Sequence, residues 1–248
     1  MTVNNEKDLM ALLEIGRICG LTLKLMLDHV EPGITTLELD QIGEEFLNKQ
    51  GAKSAPRVTY NYPGGTCISI NNVAAHGIPG DYKIQPGDLV NVDVSAEKNG
   101  YFADCAASMG VEPLTDQARK LLETTKAAHE AGLRAAKAGA PINAIGRAME
   151  DIARKGGFSV IKELPGHGVG KGLHEPPSIP GYFDRRFGQK LREGQVITIE
   201  PFLSTGIGHI KEESDGWTLR TVDNKLAAQF EHTIIVTRDQ PLMITKVD

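Results

Sequence analysis

Cysteine is scarce in this chain of 248 residues: only Cys19, Cys67 and Cys105 occur, an odd set with no CxxC spacing. That excludes a disulfide-stapled scaffold, argues against a structural zinc site, and fits a reducing compartment. Long apolar runs are missing too, since none approaches the ~20 residues that a membrane span requires. The stretch Met1 to Asp8 has neither the basic nor the apolar region of a signal peptide. Positive charge is not in excess: 27 Lys and Arg face 32 Asp and Glu, for a net charge of −5, with no long block of one sign. A general binder of nucleic acid or anionic membrane needs a basic surface, so chemistry on small molecules or peptides is the better expectation. What remains, 40% hydrophobic and 24% charged residues, is the make-up of a soluble globular protein expected in the cytoplasm.

Apolar residues at Leu9, Leu12, Leu13, Cys19, Leu23, Met26, Leu27 and Val30 recur at three- and four-residue steps. This predicts an amphipathic helix over about 6 to 30, stopped by Glu31-Pro32-Gly33. Thr35 or Thr36 can cap a second helix with Leu37, Leu39, Ile42, Phe46 and Leu47 inward, ending near Gly51. Beyond it, β-branched residues and Gly/Pro pairs predict strands and turns. From Thr115 the order repeats: a helix carrying Leu121 and Leu122, a stop at Gly139-Ala140-Pro141, a second helix to Gly156-Gly157, then strands through Ile161, Val196 to Ile199 and Phe230 to Val236. Two halves of similar order result, although their residue-level match is loose and gapped. No polar linker divides them, so residues 1–248 are expected to form a single α+β domain.

The stretch Leu89 to Asp104 is the most informative. Asn99-Gly100 between alternating residues predicts a two-residue hairpin loop, which pairs Lys98 with Tyr101 and Ser95 with Asp104. Asp93 then shares a face with Asp104 as its diagonal neighbour, about 7–8 Å away along the backbones. Asp93 lies among Val90, Val92 and Val94, a setting apolar enough for a central strand, where an unpaired carboxylate would cost several kcal/mol. A solvated face, a Lys or Arg partner, or a metal cation could each meet that cost. The second half adds Gly166-His167-Gly168-Val169-Gly170-Lys171-Gly172-Leu173-His174, too glycine-rich for a stable helix, and two acidic residues in strand-like settings, Glu200 and Glu231. Four carboxylates with histidine and no thiolate suit two adjacent divalent first-row ions that activate water for hydrolysis.

In order along the chain, His76-Gly77-Ile78-Pro79, Asn91-Val92-Asp93-Val94, Asp104, Gly166-His167-Gly168, His174-Glu175, Ile199-Glu200-Pro201 and Gln229-Phe230-Glu231-His232-Thr233 resemble the type I methionine aminopeptidases of peptidase family M24. The likeness spans nearly the whole chain. It implies a pita-bread α+β fold in which two pseudo-symmetric halves enclose two divalent metal ions, which could be Co, Mn, Fe or Zn. It implies Asp93, Asp104, His167, Glu200 and Glu231 as metal ligands, with Glu200 also moving a proton for a metal-bridging hydroxide that attacks the first peptide bond. It implies His174 as the group that steadies the developing oxyanion and His76 as the contact to the amide nitrogen. The positions matching the family's methionine side-chain pocket are Tyr62, Cys67, Leu173 and Trp217.

Tyr60 stands where some bacterial members have histidine, and Leu173 where some have phenylalanine, so the pocket is expected to differ in shape from those members' at these two positions. The motif set begins 75 positions after Met1, and Glu200 and Glu231 are 31 apart. Neither the zinc-binding extension nor the type II insertion of related enzymes is therefore expected. The implied substrates are peptides and nascent chains that begin with methionine followed by a small residue. The enzyme is expected to be a monomer, with the ribosome a candidate partner. Two other readings share the fold: an Xaa-Pro aminopeptidase or prolidase, which generally has an additional N-terminal domain, and a partner-binding protein that has lost its ligands.

Overall fold

The computed structural model describes residues 1–247. Helix α1 runs Glu6–Asp28, its first turn capped by the Asn5 side chain. Helix α2, Thr36–Lys49, starts with a capping box in which Thr35 Oγ1 accepts from the Glu38 amide while the Glu38 carboxylate accepts from the Thr35 amide. Its inward face is Thr36, Leu39, Asp40, Gly43 and Leu47. Leu37, expected inside, is 40% exposed. The buried Asp40 takes part of the inward stripe instead, because its carboxylate accepts from the amides of Gly65 and Thr66 and from the Thr66 hydroxyl at 2.6–3.0 Å. A helical charge is thereby spent on holding the loop that leads into the strand Cys67–Ile70.

One element runs against the expectation of strands and turns alone after Gly51. Helix α3, Ala55–Tyr60, follows a two-residue strand; Ser54 caps it and Pro56 sits in its first turn. A capping serine followed by proline is a helix start that a search for apolar periodicity passes over in so short an element. The second half opens with α4, Asp116–Ala135, capped by Thr115, and α5, Ile142–Gly156, closed by Gly157 in the left-handed conformation.

The hairpin forms as expected. Asn99 and Gly100 both have positive φ, 54° and 76°, as the tight two-residue turn demands. The register pairs Lys98 with Tyr101 and Ser95 with Asp104. Strands Leu89–Lys98 and Tyr101–Gly110 lie in an 11-stranded antiparallel sheet that continues through Ala227–Ile235 and Val196–Ile199 to Gly166–Gly168 and Glu175–Ile179. The two halves meet where Ala106 pairs with Glu231 and Cys105 with His232.

Alternation along these strands separates two environments. Val90, Val92, Val94 and Ala96 point into an apolar core shared with α1 and α2. Ile197, Ile199, Ala228 and Ile234 pack with α4 and α5 residues in a second one. Among the intervening positions, Asp93, Ser95, Asp104 and Glu231 line a cavity on the opposite side of the sheet. No helix among the described residues is long and apolar enough to cross a membrane.

Candidate metal centre

Asp93, Asp104, His167, Glu200 and Glu231 all line this one cavity, whose volume is about 610 Å³. Five separate backbone positions deliver them: adjacent strands of the hairpin for the aspartates, the centre of Gly166–Gly168 for His167, the end of Val196–Ile199 for Glu200, and the middle of Ala227–Ile235 for Glu231. His167 Nε2 lies 3.4 Å from Glu200 Oε1 and 3.9 Å from Asp104 Oδ2. One ligand atom each from Asp104, His167 and Glu231 falls within 4.8 Å of the others.

The surrounding hydrogen bonds fix how each group is presented. His167 Nδ1 lies 2.9 Å from the Gly168 carbonyl, which can only accept, so the proton sits on Nδ1 and the Nε2 lone pair faces the carboxylates. Thr198 donates to Glu200 Oε1 at 2.5 Å, and Gln229 Nε2 to Glu231 Oε2 at 3.2 Å. The Asp104 backbone is locked from both sides, its amide donating to Thr233 Oγ1 and its carbonyl accepting from the same hydroxyl. Yet Asp104 Oδ1 and Glu231 Oε1 are buried without any hydrogen-bond partner.

Among the described residues, no Lys or Arg lines the cavity. Of the three ways to neutralise these carboxylates, a basic side chain is thus excluded, and a solvated face does not describe side chains as buried as Asp104 and Glu231. Burial also keeps His167 neutral, its pKa driven down to about 3 with a further push from His174. A neutral imidazole lone pair aimed at buried carboxylates, two of whose oxygens lack partners, is a donor set made for a divalent cation.

Without a cation the same groups oppose their own ionisation. Burial raises Asp93 to about 6 and Glu200 to about 8. Asp104 and Glu231 are lifted well above the carboxylate range, first by burial and then by repulsion from the other acids. An acid whose pKa is raised on folding holds its proton more tightly in the folded state, so it favours folding at low pH, and that contribution is lost as pH rises through the folded pKa. Metal-stripped protein should therefore lose thermal stability from the ordinary carboxylate range near pH 4 up to about 8, where Glu200 ionises. Saturating metal should restore most of the loss at the upper end. Melting temperatures of stripped and reloaded protein between pH 5 and 8 check this; a stripped protein as stable at pH 8 as at pH 5 would contradict it.

Two further histidines face the cavity. His76 sits in a turn with φ of 55°, a left-handed conformation that its neighbours hold in place. The Gly77 carbonyl accepts from the Tyr62 hydroxyl at 2.8 Å and from the Ile68 amide at 2.9 Å, while the Gly77 amide donates to Ser69 Oγ. Gly77 lies so close to the Ile68 carbonyl that a Cβ there would collide with it. His174 stacks at a tilt on His167, with ring centroids 4.2 Å apart. Its loop is pinned by Glu175, whose carboxylate accepts from the amides of Lys171 and Gly172 at 2.6 Å and lies 2.5 Å from the Met1 amino group. Burial lowers both pKa values, and for His174 the nearby His76 adds to the effect. Both rings are neutral at pH 7 and each can donate one N–H.

Tyr62, Cys67, Leu173 and Trp217 line the same cavity, with the Tyr62 and Trp217 rings edge to face at 5.1 Å. Cys67 lies opposite Asp93 in the sheet. The sequence reading missed Phe202, a buried ring on the wall. It opens the strand Phe202–Ser204 just past Glu200 and Pro201, and a large apolar side chain next to a candidate acidic ligand is the signal that could have found it.

A cavity built this way has relatives. The model of metallopeptidase family M24 matches residues 11–238. The chain belongs to that family. Methionine aminopeptidase 2 of Bacillus subtilis is 45% identical over the full length of both chains, as is a methionine aminopeptidase of Staphylococcus epidermidis. Among solved structures, methionine aminopeptidase from Rickettsia prowazekii superposes with a TM-score of 0.94 at 35% identity, covering 99% of this M24 chain and all of the other. Prolidase from Pyrococcus furiosus, 22% identical, shares the fold with a TM-score of 0.80, and the chain spans 66% of it. These neighbours establish the two-halved pita-bread architecture that the motifs imply.

Proposed function

We propose that this M24 member is a hydrolase that removes the N-terminal methionine from peptides and nascent chains, with preference for a small second residue. The observation that carries the reading is the cavity itself, where buried carboxylates and histidines converge with no basic side chain among them. Full-length likeness to proteins named methionine aminopeptidase supports the substrate. Asp93, Asp104, His167, Glu200 and Glu231 would hold two divalent ions, which supply Lewis-acid polarisation and water activated at neutral pH. Carboxylate and imidazole ligands accept Mn, Fe, Co or Zn, so availability selects the ion.

The chain's own groups do the rest. Glu200, held by Thr198, accepts the proton of the attacking water and returns it to the leaving amine. The N–H of His174 meets the scissile carbonyl oxygen as negative charge develops on it, and His76 meets the amide nitrogen. Tyr62, Cys67, Leu173 and Trp217 take the methionine side chain. We place the enzyme in the cytoplasm as a monomer formed by one catalytic domain, with the ribosome as a partner during synthesis.

Release of free methionine from Met-Ala-Ser by metal-stripped protein, titrated with single divalent ions, tests this reading. Turnover should appear with metal and be negligible on Gly-Pro dipeptides, the substrates of the prolidase alternative. Met-Leu and Met-Phe peptides should be cleaved at least tenfold more slowly than Met-Ala and Met-Gly peptides, because a large side chain fits only by displacing backbone. Equal rates across this series would reduce the proposal to a general metalloaminopeptidase.

A further inference from the structure

Tyr60 closes α3 at the rim of the cavity and has no part in the chemistry described so far. Asn61 ends the helix in the left-handed conformation, and amide bonds from Asn61 to the Arg57 carbonyl and from Tyr62 to the Pro56 carbonyl fix the last turn. The residue is 43% exposed. Its hydroxyl nevertheless reaches inward to lie 2.6 Å from His174 Nδ1, with ring centroids 5.5 Å apart.

A neutral imidazole has one N–H and one lone pair, and the partner at one nitrogen decides what the other can do. At His167 the partner of Nδ1 is a carbonyl, which only accepts, and the lone pair is left on Nε2. At His174 the partner is a hydroxyl, which can donate. Were Nδ1 of His174 to keep the proton, Nε2 would offer a lone pair to the substrate's carbonyl oxygen and could only repel it. Two imidazoles 4.2 Å apart thus face different groups at Nδ1, as a ligand and a donor require.

We propose that Tyr60 is a positioning residue whose hydroxyl donates to His174 Nδ1, holding His174 in the tautomer with its proton on Nε2, the one that donates to the scissile carbonyl oxygen. The role of the tautomer rests on the aminopeptidase reading above; the tautomer itself does not. Nitrogen NMR of zinc-loaded protein with labelled histidines reads it directly, with the His174 signals identified by their loss in His174→Gln. The wild type should show the Nε2–H form, and Tyr60→Phe should mix the two forms. On Met-Ala-Ser, Tyr60→Phe should lower kcat about three- to tenfold, the size of one hydrogen bond near solvent, with KM and bound metal unchanged.

An Nδ1–H tautomer in the wild type would overturn the proposal. So would Tyr60→Phe with an unchanged tautomer, whatever its kcat, or with a raised KM alone, which would mark a rim contact. Absence of methionine release by the wild type would sink the aminopeptidase reading instead, and the nitrogen spectra would still decide the tautomer.

Discussion

Asp104→Ala should abolish metal-dependent release of methionine, with turnover down by at least a thousandfold at metal concentrations that saturate the wild type. Asp104 stands at the join of the two halves, beside His167 and within ligand distance of Glu231. One of its oxygens is buried with no hydrogen-bond partner among the described residues. Its backbone bonds to Thr233 do not involve the carboxylate, so the variant keeps its sheet register and loses only the anion. A second effect has the opposite sign. In the metal-free protein the Asp104 charge is one of the causes that lift Glu231 above its usual range. Asp104→Asn, which preserves the shape, should accordingly make the stripped protein more stable near pH 8 while it weakens metal binding. Calorimetry with a divalent ion and melting curves of stripped protein measure the two halves of this prediction. Normal turnover of Asp104→Ala at saturating metal would remove Asp104 from the centre, and a stripped Asp104→Asn protein less stable than the wild type would refute the account of mutual repulsion.

The parts of this molecule legible in the sequence are those set by local chemistry. Asn99-Gly100 demands positive φ at two successive residues, which fixes the hairpin register and hence the shared face of Asp93 and Asp104. Thr35 and Thr115 announce their helices by capping them. What escaped depends on distant partners. Asp40 looks like a surface charge until the loop at Gly65 and Thr66 folds onto it, and Leu37 is turned outward as a result of the helix phase that Asp40 and Leu39 share. The chain has 27 basic residues, any of which could have neutralised Asp93; only the folded cavity shows that none does. Likewise, seven positions separate His167 from His174, but spacing carries no information on which faces a carbonyl and which a tyrosine. The two imidazoles differ in the group that faces Nδ1, a contact that only the folded chain creates.

His76→Ala should lower turnover by two to three orders of magnitude and leave metal affinity within a few-fold. Removal of one donor aimed at the transition state typically costs about 2.7–4 kcal/mol, which is the source of that figure. The turn that presents His76 is held by Tyr62, Ile68 and Ser69 bonding to Gly77, and none of these bonds uses the imidazole. Alanine inherits the same left-handed backbone, a strain that histidine already bears, so the turn should persist in the variant. Burial keeps His76 neutral, which makes its N–H available throughout the neutral range, and the loss should be equal at pH 7 and pH 8. The kinetic signature separates the two possible roles. A ligand's removal would appear first as metal lost in calorimetry, and its activity would recover with excess metal; a donor's removal lowers kcat at every metal concentration. Metal loss in His76→Ala would move His76 into the ligand set, and a loss of tenfold or less would leave it as a lining residue outside the chemistry.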